Sequence, residues 1–157
     1  MNYLLLDLDG VILDSEQRVV NEKNKCPNVG WDDFFNTLDW YSLLAESEPI
    51  NDSVDIIKSA QKRDKEIAIL TKVHTLLEMQ AKVYDMHRRG IFLPMFFVPP
   101  HVKKSEIFLP KNNEILVDDS LKNLHDWNLN GGTSILFAST SSDEVPYECI
   151  NSLKRIL

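Results

Sequence analysis

The chain has 157 residues, of which 43% are hydrophobic and 26% charged, and its formal net charge is -7. That length suits one domain with a substantial core, and the composition excludes a fibrous, collagen-like or wholly disordered chain. The negative charge denies it a broad footprint for polymeric nucleic acid, although His87-Arg88-Arg89 forms a local basic strip.

The start, Tyr3 to Leu6, is a short apolar run cut by Asp-Leu-Asp-Gly, as expected of a buried strand ending in a polar turn. Acid arrives too early for a signal peptide, and no apolar run reaches membrane-spanning length, so no membrane partner is expected. Cys26 and Cys149 have neither metal-clip spacing nor the number a disulfide scaffold needs; reduced thiols and a cytoplasmic location are expected.

Residues 14–50 break the rhythm that follows. A polar stretch, Asn21 to Asn28, leads into an aromatic-rich helical run carrying Trp31, Phe34, Phe35, Trp40 and Tyr41, read as a small helical cap inserted after the first strand. Beyond it, brief apolar runs at Glu66–Leu70, Met95–Val98, Glu114–Val117 and Ser134–Phe137 read as buried strands. Helical spacing runs over Ser53–Lys62, Thr75–His87, Ser120–Trp127 and Pro146–Ile156. Strand and helix alternate, so residues 1–157 are expected to form a single α/β domain, a Rossmann-like parallel sheet of about five strands flanked by helices.

In such a sheet ligands bind outside the carboxyl ends of the strands, where Asp7, Asp9, Thr71, Asp118 and Asp119 fall. Carboxylates converging there repel one another unless a cation intervenes, and all-oxygen ligation suits Mg2+. Asp7 and Asp9 are two apart and share a strand face, so one can attack while the other handles protons. Gly10 lets the backbone turn toward an anion. His74, His87, His101 and His125 lack ligand spacing, and Gly131-Gly132 lacks that of a dinucleotide site.

Asp7-Leu-Asp-Gly-Val-Ile-Leu-Asp-Ser resembles motif one of the haloacid dehalogenase (HAD) superfamily in its phosphatase form. Ile69-Leu70-Thr71, Lys103-Lys104-Ser105 and Leu116-Val117-Asp118-Asp119-Ser120 resemble motifs two to four, in order. The resemblance implies that Asp7 is a nucleophile forming an aspartyl-phosphate and that Asp9 is its general acid and base. It further implies Mg2+ on Asp7, the Asp9 carbonyl and Asp118; Asp119 is a weaker ligand candidate, acting through water. Thr71 and a lysine would bind phosphate. Lys104 fits better than its neighbour Lys103, because a lysine followed by serine at the opening of a short helix matches the family pattern; Lys72 is a further candidate.

The cap is similar to that of 5'(3')-deoxyribonucleotidases, which makes a nucleoside 5'-monophosphate the expected substrate and Trp31, Phe34, Phe35, Trp40 and Tyr41 a stacking surface for its base. The alternatives are a phosphatase or phosphomutase for sugar phosphates and, in another class, a non-catalytic metal- or phosphate-binding protein.

Overall fold

In a computed structural model, which describes residues 2–63, 66–140 and 144–157, the apolar runs become parallel strands. They are β1 (Leu4–Leu6), β2 (Ile67–Lys72), β3 (Met95–Val98), β4 (Ile115–Asp118), β5 (Thr133–Phe137) and β6 (Glu148–Ile150). Their spatial order is β3-β2-β1-β4-β5-β6, every neighbouring pair parallel. Leu4 of β1 is in register with Ile67 on one side and Ile115 on the other. The chain winds outward through β2 and β3 and then returns to the far side of β1, so a topological switch point lies between β1 and β4.

Period-two alternation divides the core between the two faces of the sheet. Leu6, Ile69, Val117 and Ile135 join one buried cluster, while Leu5, Leu70, Leu116 and Leu136 join the other. α4 (Ser53–Ala60) contributes Val54 and Ile57 to the first, and α7 (Leu121–Leu129) contributes Leu124 and Trp127 to the second. Trp127 is fully buried, donates from its indole to the Glu114 carbonyl at 3.0 Å, and occupies the space that a side chain at Gly132 would need.

Between β1 and α4 stand α1 (Ser15–Asn24), α2 (Trp31–Thr37) and α3 (Trp40–Glu46). α3 packs on α5 (Leu76–Arg88), and the contact is tied by Arg89, which donates to the carbonyls of Leu44 and Ser47 at 2.9 and 2.8 Å while pairing with Asp85 at 2.6 Å. Thr75 caps α5 by accepting from the Glu78 N–H at 3.0 Å.

The expected helix over Pro146–Ile156 is not formed, and among the described residues the sheet has six strands where about five were expected. Residues 148–150 instead add β6, followed by a short 3-10 turn at Leu153–Arg155. Apolar residues at 149, 150, 153 and 156 suit helical spacing, but Ile150 and Leu153 satisfy it equally by burying beside the sheet. Pairing with β5 also gives that edge's exposed backbone groups their partners. Among the described residues, no helix is long and apolar enough to cross a membrane.

Candidate functional site

Because β1 stops at Leu6, Asp7 leaves the sheet at its central carboxyl edge. Its Oδ1 accepts from the Leu8 N–H at 2.8 Å and lies 2.9 Å from Nζ of Lys104. Lys104 opens α6 (Lys104–Ile107), and its ammonium also donates to Oδ2 of Asp118 at 2.7 Å, bridging the ends of β1 and β4. Burial alone would lower the Lys104 pKa, but Asp7 and Asp118 outweigh it and hold the ammonium charged. Asp118 is fully buried and accepts from the Ser120 N–H at 2.8 Å and the Asn123 amide at 3.1 Å. Adjacent Lys103 points to solvent and pairs with Asp126 at 3.0 Å.

Two residues on, Asp9 opens the turn that Gly10 makes possible. Gly10 has φ +83, and a Cβ there would strike the Asp119 carboxylate. Ser15, at the start of α1, donates to Asp9 Oδ1 at 2.6 Å. On the other side, Nζ of Lys82 donates to Oδ2 at 2.6 Å, and the Thr71 hydroxyl lies 3.4 Å from the same oxygen. Burial pushes the Asp9 carboxyl up, yet the Lys82 ammonium, with the Ser15 hydroxyl and Lys104, outweighs it and the net shift is downward, so Asp9 rests as an anion.

One carboxylate oxygen from each of Asp7, Asp118 and Asp119 lies within 4.8 Å of the other two. Burial raises Asp7 to about 7, with Asp118 and Asp9 adding to the rise and Lys104 opposing it. Asp119 is raised to about 9 by burial, by a hydrogen bond shared with Glu16 and by the charge on Asp7. Burial is the main cause of both rises and the neighbouring carboxylates add to it; a set made only of oxygens fits a hard dication such as Mg2+. Asp7, Asp118 and Asp119, with the Asp9 carbonyl in the adjoining turn, are the groups that could hold it.

Above these residues a cavity of about 390 Å³ has Asp7, Asp9, Lys104 and Asp119 in its lining, together with Lys72 and His74 from the end of β2. Three of the five aromatic candidates, Trp31, Phe35 and Trp40, line it as well. Phe34 is instead buried within the helical segment, 5.9 Å from the Trp31 ring, and Tyr41 packs on Tyr84 at 5.6 Å, outside the cavity. Thr71 is fully buried beneath Asp9.

Sequence reasoning missed Lys82, Glu78, Glu16 and Ser15, and passed over His74. The His74 ring stacks on Phe35 at 3.7 Å and 14°, with Nδ1 3.0 Å from Glu78. A signal did exist for the buried pair: Glu78 and Lys82 are four apart on the stripe of α5 that must face the sheet, where charge is unexpected.

The chain matches no protein-family model and no curated protein. Solved structures do match it. A haloacid dehalogenase-like hydrolase from Bacteroides fragilis aligns with a TM-score of 0.68 at 13% identity, over 99% of both chains. The magnesium-bound HAD-hydrolase YfnB from Bacillus subtilis gives 0.68 at 14% identity, over 98% of this chain and 96% of that one. D,D-heptose 1,7-bisphosphate phosphatase from Burkholderia thailandensis gives 0.60 at 14%, over 98% and 94%. The chain therefore has the HAD-like α/β fold, shared with HAD-superfamily hydrolases along nearly its whole length.

Proposed function

We propose that this chain is a Mg2+-dependent phosphomonoester hydrolase working through an aspartyl-phosphate on Asp7, with residues 14–50 as its cap. The observation that carries the reading is the Lys104 bridge between Asp7 and Asp118 at the topological switch point, set in a cluster of carboxylates with Asp9 alongside.

An oxygen of Asp7 attacks phosphorus, the ester P–O bond breaks, and the leaving oxygen takes a proton from Asp9. Water then attacks the aspartyl-phosphate, giving its proton to Asp9 as the P–O bond to Asp7 breaks. The resting anion of Asp9 suits this second half, while an arriving phosphate counters the pull of Lys82 and favours the protonated form needed in the first. Lys104 keeps the attacking carboxylate oriented and offsets charge near the reacting phosphoryl group. Lys72, in the cavity lining, is the further phosphate contact, while the Thr71 hydroxyl, buried beneath Asp9, supports the Asp9 carboxylate instead. Bound at Asp7, the Asp9 carbonyl, Asp118 and Asp119, Mg2+ would supply the charge neutralisation that lets a carboxylate approach a phosphate dianion. Magnesium in the similar YfnB structure supports that assignment.

Trp31, Phe35 and Trp40 around the cavity favour a substrate with a flat ring, so a nucleoside 5'-monophosphate leads. A sugar phosphate is the second reading, favoured by the likeness to a heptose bisphosphate phosphatase and by His74, which already covers a face of Phe35. Phosphate release from nucleoside monophosphates and sugar phosphates, with Mg2+ and with chelator, separates the two. Release that needs no metal, or that survives Asp7→Asn, overturns the mechanism.

A further inference from the structure

Lys82 is wholly buried on α5, where its ammonium meets four acceptors. These are Oδ2 of Asp9 at 2.6 Å, the Lys72 carbonyl at 2.7 Å, Oε1 of Glu78 at 3.0 Å and the Thr71 hydroxyl at 3.1 Å. An ammonium only donates, so the Thr71 oxygen accepts from it and the Thr71 hydrogen is turned elsewhere. Lys104 already stands beside Asp7. Among the described residues Lys82 pairs with none of the three clustered carboxylates, and its acidic partners are Asp9 and Glu78.

Burying a lysine is a poor way to stabilise a helix face, since an apolar side chain of like volume avoids the loss of hydration. What Lys82 achieves is geometric. Ser15 holds one oxygen of Asp9 at 2.6 Å and Lys82 holds the other at 2.6 Å, so the plane of the carboxylate is fixed from both sides. Through the Lys72 carbonyl the same ammonium ties the end of β2 to the turn after β1.

We propose that Lys82 is a positioning residue for proton transfer by Asp9, holding its carboxylate where the leaving oxygen will be. The proposal rests on the phosphatase reading. As the ester P–O bond breaks, its electron pair passes to the leaving oxygen, which takes the Asp9 proton while the Asp7 oxygen bonds to phosphorus. An aryl oxygen is stable enough as an anion to leave without that proton, whereas an alkyl oxygen is not.

The test compares kcat/KM of wild type and Lys82→Met on an alkyl phosphate and on p-nitrophenyl phosphate. This ratio ends at the first irreversible step, so hydrolysis of the aspartyl-phosphate does not enter it. The expected loss is about 100-fold on the alkyl ester and under about threefold on the aryl ester. In an Asp9→Asn background, where the group being positioned is gone, Lys82→Met should cost under about threefold on either ester. Should Lys82→Met not fold, Lys82→Gln with Glu78→Gln removes one cation and one carboxylate, keeps the buried charge in balance and is read the same way. Equal losses on both esters, or a full further loss in the Asp9→Asn background, overturn the proposal. A wild-type protein inactive on both esters overturns the phosphatase reading itself, and the proposal with it.

Discussion

Gly10 meets two demands that no other residue satisfies together: it adopts φ +83, and it leaves room for the Asp119 carboxylate. Gly10→Ala is expected to lower stability by roughly 1–3 kcal/mol and to displace Asp119, a loss read by thermal melts and by a weaker Mg2+-induced rise in Tm. Asp7→Asn keeps the shape of the side chain and removes the proposed nucleophile. Turnover should fall by ~10⁴-fold or more, and acid-quenched protein should no longer carry labelled phosphate. Turnover near wild type, or phosphate still trapped, would show that another group attacks. Both residues were legible in the sequence because Asp-x-Asp-Gly followed an apolar run. Lys82 was not, since its meaning depends on Asp9, 73 positions away in the chain.

Among the elements, α5 does more than cover the sheet. Its inward stripe carries Glu78, Lys82 and Asp85, the first two serving the Asp9 network and the third anchoring Arg89 to the end of α3. Arg89→Met would release the Leu44 and Ser47 carbonyls and leave Asp85 with Arg88 alone. A loss of about 2–4 kcal/mol in unfolding free energy is expected, measured by chemical denaturation. A change below ~0.5 kcal/mol would mean that the α3–α5 contact holds without this tie. The α2 segment works differently, because it offers aromatic surface to the cavity. Phe35→Ala should raise KM for nucleoside monophosphates by roughly 10-fold while moving kcat less, as removal of a stacking partner worth ~1–3 kcal/mol requires. An unchanged KM would remove Phe35 from the substrate contacts. Aromatic spacing alone could not separate Phe35 from Phe34 and Tyr41, since which side of a short helix meets the cavity depends on how that helix docks.

For the whole molecule, the clustered acids link stability to pH and, on the proposed function, to metal. Asp7 and Asp119 bind protons more firmly when folded, with values of about 7 and about 9 against an ordinary 3.8. Groups shifted in this direction stabilise the fold at low pH, and that contribution is lost as pH rises through the raised values. Metal-free protein should therefore melt at progressively lower temperature from about pH 5 to about pH 9, and Mg2+ should restore more of the loss at the higher pH. Melts in chelator and in Mg2+ across that range check it. A metal-free Tm that is flat or rises would contradict the raised values at Asp7 and Asp119.

The α/β alternation and the acids at the strand ends were readable along the chain, because apolar periodicity and local turn chemistry act over a few neighbouring residues. The sequence also pointed to Lys104 over Lys103 by resemblance to a known motif. That residues 148–150 extend the sheet beyond β5 emerges in the folded chain, because the free edge of β5 offers hydrogen bonds that helical spacing cannot reveal. Folding likewise brought Lys82 against Asp9 and His74 against Phe35. Those contacts join segments distant in the chain, and they exist because the docking of helices on a twisted sheet, rather than any local preference, decides which buried charges meet.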